Sequence, residues 1–131
     1  MSLNEISYQI RGAVFDVYNE LGPGLMENVY EKALIMELLN RGLQVENQVP
    51  IEVLYKGFDL GLQYRLDLLV NKQVIIELKS VEILLPVHHK QLITYLKLAQ
   101  KPLGFLINFN TKSIKDNIIR IANDKNHPDL K

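Results

Sequence analysis

The segment YRLDLLVNKQVIIELKS, residues 64–80, sets two acids and a base, Asp67, Glu77 and Lys79, among side chains suited to the interior of a sheet. Buried charge is expensive unless it is paired or binds something. Two carboxylates converging beside a lysine suit magnesium or manganese. Such hard cations take oxygen ligands and keep waters, one of which can become a nucleophile. The lysine would orient or deprotonate that water, or stabilise negative charge on a transferring phosphate. This chemistry favours hydrolysis of a phosphodiester. The plainer alternative is an ion pair between Glu77 and Lys79 at a sheet end, with Asp67 solvated.

Whether the carboxylates converge depends on the strands that carry them. Alternation puts Glu77 and Lys79 on one face with Ile75, and Val74, Ile76 and Leu78 on the other. On the preceding strand Asp67 is expected to share its face with Arg65 and Leu69. Asp67 and Glu77 meet only if they are directly opposed. A two-residue loop at Asn71-Lys72 would set Asp67 opposite Ile76. A three-residue loop, Asn71 to Gln73, pairs Val70 with Val74 and Asp67 with Glu77, and a bulge would do the same. An odd-length loop or a bulge is therefore predicted.

Upstream, Ile6, Ile10, Val14, Val17 and Leu21 recur at helical spacing and predict a helix from Asn4 to Leu21, ending before Gly22-Pro23-Gly24. A second helix is predicted from about Met26 to Arg41, with Gly42 as its C-terminal cap. The period then falls to two. Strands are predicted over 43–49 and 51–57, with Pro50 as a break or edge between them, and over 58–70 and 73–80. Pro86 opens a third helix to about Gln100. The run LGFLINF, 103–109, has the pattern of a central strand covered on both faces. From Ser113 to Ala122 the pattern fits helix or strand equally. This order predicts an α/β sandwich, helices packed on a mixed β-sheet, in a single domain over 1–131.

A chain of 131 residues supports one real core, and its 47% apolar content with 15 basic and 15 acidic groups separates it from disordered proteins. No run is apolar enough to span a membrane, and Glu5 and Asp16 interrupt any signal-peptide layout, so a cytoplasmic protein without membrane partners is expected. The absence of cysteine excludes disulfides, zinc thiolates and thiol nucleophiles. The charge is unevenly spread. Residues 1–78 carry 6 basic and 11 acidic groups and residues 79–131 carry 9 and 4, near −5 and +5. Such asymmetry permits one basic face, to which Lys90, Lys97 and Lys101 of the third helix would contribute; solvated surface lysines explain it equally well.

Asp67, nine intervening residues and then Glu77-Leu78-Lys79 on the next strand resemble the D…E-x-K signature of the PD-(D/E)xK nuclease superfamily. Gln91 and Tyr95 on the following helix are similar to the Q-x-x-x-Y element of its RecB and Cas4-like branches, and Gly24, Glu27 and Tyr30 in GLMENVY resemble the motif of the GxxExxY family. The resemblance implies a restriction-endonuclease-like core. It also implies a Mg2+- or Mn2+-dependent nuclease, with Asp67, Glu77 and Lys79 as catalytic residues and Asp67, Glu77 and Glu27 as metal ligands. Gln91 and Tyr95 would hold a phosphate or the site's hydrogen bonds, and Tyr30 would support the site or pack beside Glu27. Two features depart from the pattern: Leu66 stands where a proline often precedes the aspartate, and the histidine ligand of several RecB-like enzymes has no counterpart. The implied partner is nucleic acid, DNA ahead of RNA, and a chain this small is expected to act as a homodimer. The competing reading is a non-catalytic nucleic-acid-binding or protein-interaction module with a vestigial nuclease site.

Other polar residues carry less. His88 falls on the Gln91 and Tyr95 side of its helix and is a candidate substrate contact, whereas His89 diverges from it. Glu31 is read as an exposed helical acid, His127 as part of a polar tail, and Gly22-Pro23-Gly24 lacks the spacing and lysine of a phosphate-binding loop.

Overall fold

A computed structural model describes residues 1–123. Two helices come first, α1 (Leu3–Leu21) and α2 (Glu27–Asn40), followed by strands β1 (Val45–Tyr55), β2 (Phe58–Val70) and β3 (Val74–Lys79). Helix α3 (Pro86–Ala99), strand β4 (Leu103–Asn108), a 3-10 turn (Ile114–Asn117) and β5 (Ile118–Ala122) complete the described chain. His127 lies outside the described residues.

The sheet order is β1-β2-β3-β4-β5. Every neighbouring pair is antiparallel except β3 and β4, which are parallel and joined through α3, the crossover such a pair requires. Helices α1 and α2 cover one face, burying Ile6, Ile10, Val14, Leu34 and Leu38 against Leu68, Val70, Val74, Ile76, Leu78 and Phe105. Helix α3 covers the other through Leu92, Tyr95 and Leu96 against Leu66, Leu69, Ile75 and Leu106. Strand β4 is buried along its whole length because both faces are covered and both edges are paired. Gly104 lets α3 approach closely: a Cβ there would stand 3.0 Å from Leu92. The result is the α/β sandwich with a mixed sheet that the element order predicts, and it fits a restriction-endonuclease-like core.

Three local expectations are settled. Of the break or edge expected at Pro50, the edge is found: Pro50 does not interrupt β1 but pairs with Arg65 inside a continuous strand. The strand lies at the sheet edge, where a residue without an N–H costs no ladder bond on its outer side. Residues 113–122 are neither one helix nor one strand but a 3-10 turn feeding β5. Finally, strict alternation fails beside Asp67. Leu66 and Leu69 both pack on the α3 side while Leu68 packs on the other, so Arg65 falls on the face opposite to Asp67. Across the ladder Gln48 has a φ of 52°, and no Gln48–Asp67 pair forms between the pairs Asn47–Leu68 and Val49–Leu66. Both strands therefore turn over at this point, which exposes the backbone of Asp67 to other partners.

Candidate active site

The loop between β2 and β3 has three residues, Asn71 to Gln73, and Val70 pairs with Val74. Asn71 and Lys72 take φ values of 49° and 57°, which close the hairpin, and the Asn71 side chain accepts a bond from the Gln44 N–H. Pairing continues through Leu69–Ile75 to Leu68–Ile76 and then stops. Asp67 and Glu77 are the next opposed residues. There the backbone donors turn to carboxylates: the Asp67 N–H donates to Glu77 Oε1 at 3.1 Å, and the Leu78 N–H donates to Asp67 Oδ2 at 2.8 Å. Beyond these backbone donors the two carboxyls engage each other through their side chains, and no further donor reaches either of them among the described residues.

Glu77 is only 4% exposed. Burial, followed by the neighbouring Asp67 carboxylate, pushes its pKa up from 4.5 to about 8, while the Lys79 ammonium works in the opposite direction. Lys79 lies on the same face at the end of β3, yet no ion pair within 4.0 Å joins it to Glu77; among the described residues the ion pair is Arg41 with Asp16. The simple Glu77–Lys79 bridge is therefore not what holds the charges. A carboxyl pair in side-chain contact, too close to ionise together without a cation, fits a hard divalent ion that keeps most of its waters.

Lys79 opens onto a cleft of about 460 Å³ lined by Tyr64, Val87, His88, Lys90, Gln91, Thr94 and Tyr95. Gln91 Nε2 donates to the Tyr95 hydroxyl at 2.9 Å, so the pair expected from the helical spacing forms. Burial, then the Glu77 carboxylate, raises the Tyr95 pKa, which keeps its hydroxyl protonated and able to donate. Tyr64 from β2 tilts against Tyr95, with 5.5 Å between ring centroids. His88 lines the same cleft, but its Nδ1 accepts the Leu85 N–H and caps α3; His89 turns to the Leu85 carbonyl.

Glu27 is placed differently. It starts α2, and its Oε2 accepts the Ser80 N–H at 3.3 Å, one residue beyond Lys79. It lines a second cleft of about 660 Å³ with Gly24, Leu25 and Ser80, on the other side of the end of β3. The described residues contain no cluster of three acids or histidines arranged to hold a metal, so Glu27 is not gathered with Asp67 and Glu77 into one ligand set. Tyr30 is a positioning residue. Its hydroxyl donates to the Gly22 carbonyl at 2.6 Å and accepts the Leu25 N–H at 3.1 Å, and its ring stacks on Phe109 at 4.3 Å. The loop leading to Glu27 is fixed in this way.

Three residues went unselected in the sequence. Asn108 is buried at the end of β4 and clamps Val81 through both ends of its amide, while the Phe109 N–H donates to the Lys79 carbonyl. These bonds fix the chain that leaves Lys79. A polar residue inside LGFLINF was the available signal. Ser80, whose hydroxyl donates to the Leu25 carbonyl at 2.6 Å, and Tyr64 offered none, because their roles arise from long-range contacts.

Residues 4–121 match the family described as the PD-(D/E)XK nuclease superfamily. The chain belongs to that superfamily. Membership supports a nuclease-like function in general and nucleic acid as the substrate, and nucleases of this superfamily generally depend on a divalent metal ion. No curated protein and no solved structure matches the chain. No described helix is long and apolar enough to cross a membrane.

Proposed function

We propose that the protein is a Mg2+- or Mn2+-dependent nuclease of the GxxExxY type, hydrolysing phosphodiester bonds at Asp67, Glu77 and Lys79. The observation that carries this reading is the opposition of Asp67 and Glu77 across a three-residue hairpin, their carboxyls in contact with each other. A divalent ion held there supplies Lewis-acid stabilisation of the phosphoryl group and a more acidic water. Asp67 and Glu77 would hold that ion, and Glu27 would support the site by fixing Ser80, whose N–H it accepts. Lys79 orients the attacking water and balances the charge that builds on the phosphate. Gln91 and Tyr95, in the positions of the RecB and Cas4-like Q-x-x-x-Y element, donate to a non-bridging phosphate oxygen, and His88 and Lys90 extend that cradle. Glu77, its pKa raised by burial and Asp67, would have to give up its proton to serve as a ligand.

The test is cleavage of labelled single- and double-stranded DNA and of RNA in magnesium or manganese. Glu77→Ala and Lys79→Ala are each expected to lower the rate by at least about 100-fold, the scale on which electrostatic groups act. Cleavage that survives chelator, or that Glu77→Ala leaves intact, would exclude this reading. Metal-independent binding without cleavage would support the vestigial module instead.

A further inference from the structure

The hairpin of β1 and β2 runs well beyond the rest of the sheet. Strand β3 pairs only with Leu68 to Val70 within the β2 side of the hairpin, so residues 50–65, closed by the Pro50–Arg65 pair, form a two-stranded arm with an unpaired edge on each side. Two strands alone are marginal in water and need a cover. Throughout the distal arm the β2 side chains from Phe58 to Arg65 are exposed.

The exposed residues are mostly apolar. The register sets Tyr55 opposite Phe58 and Ile51 opposite Tyr64, which places these four on one face, continuous with the α3-side core that holds Ile51. Leu60 and Leu62 flank Gly61, whose φ of 72° marks the irregularity in the ladder. Phe58 is 75% exposed, Leu62 62% and Tyr55 59%. With Leu60 and Tyr64, five large side chains offer on the order of 100 Å² each, roughly 500 Å² together, against about 800 Å² per partner in a standard interface. The charges of the arm cancel: Glu52 and Asp59 balance Lys56 and Arg65. A neutral arm gives a polyanion no electrostatic reason to bind and imposes no repulsion between two identical copies.

We propose that the apolar face of this arm docks a second copy of the chain, arm against arm about a two-fold axis, so that the same patch serves both partners. Tyr64 ends the patch and begins the wall of the Lys79 cleft, so each copy sits beside the other's cleft. The proposal stands on the arm alone and does not depend on catalysis.

Light scattering on the full chain, without nucleic acid, should return twice the mass of one chain, and the double variant Phe58→Glu/Leu62→Lys should return one. A wild-type monomer overturns the proposal, as does a double variant that remains a dimer. A monomer that shifts only with a single-stranded oligonucleotide also overturns it and makes nucleic acid the cover. Should the double variant misfold, Leu60→Cys introduces the sole thiol of the chain and should oxidise to a linked dimer. Met36→Cys, exposed on α2 across the sheet, should not. No crosslinking at Leu60→Cys, or equal crosslinking at both positions, overturns the proposal.

Discussion

Glu77 joins the chemistry of the site to the stability of the molecule. Its raised pKa means that the folded, metal-free protein holds a proton at neutral pH that the unfolded chain, with an ordinary carboxyl near 4.5, has released. Its contribution to stability is therefore complete below pH 4.5 and is lost as the pH rises toward about 8. Denaturant titrations in chelator should show stability falling across that window by about 1.4 kcal/mol per pH unit. Glu77→Gln should flatten this dependence, and a wild-type curve already flat over the window would show that Glu77 titrates normally. At Tyr30, removal of the hydroxyl by Tyr30→Phe leaves the Gly22 carbonyl and the Leu25 N–H without their partner. A cost of about 1–2 kcal/mol in melting experiments is expected, with slower cleavage as the start of α2 loosens. The strand period of β3 and the loop length made the meeting of Asp67 and Glu77 beside Lys79 legible, whereas Gln91 and Tyr95 stood out through their resemblance to the Q-x-x-x-Y element. The sequence could not locate Glu27, whose partner Ser80 lies 53 residues away.

The hairpin loop shows how one element decides whether a site exists. Three residues between Val70 and Val74 oppose Asp67 to Glu77; two would turn every β3 side chain to the other face. Deletion of Lys72 should therefore abolish metal binding and also destabilise the fold, since Ile76 and Leu78 would leave the core formed with α1 and α2. Metal binding retained at wild-type affinity in that deletion would contradict the register argument. This register was legible because only an odd loop lets two buried acids meet. The turnover at Gln48 and Asp67 was not, because it depends on a positive φ in the neighbouring strand that no local pattern in β2 announces. Pro50 left break and edge both open for a related reason: proline is excluded from a ladder only where its missing N–H is needed, and edge position is a property of the finished sheet.

The whole molecule sets the acids at a boundary between two environments. Below them the sheet is sealed on both faces by helices, which gives Glu77 its burial; beyond β3 the sheet thins to a two-stranded arm, which leaves room for a cleft over Lys79. The alternation of helix, strand and helix patterns made the layers legible, and the nearly all-apolar β4 marked a strand covered on both faces. The partition of residues 113–122 was not legible, because four isoleucines in ten residues satisfy either period. Everything proposed for catalysis rests on Asp67 and Glu77 acting as a cation site rather than as a buried structural pair. Calorimetric titration of manganese into the wild-type protein and into Asp67→Ala tests this most directly. Wild-type protein should bind with release of a proton, seen as a heat that varies with the buffer, and Asp67→Ala should lose binding. Equal binding by both proteins, or none by the wild type even with nucleic acid present, would contradict the assignment of a metal site to this hairpin.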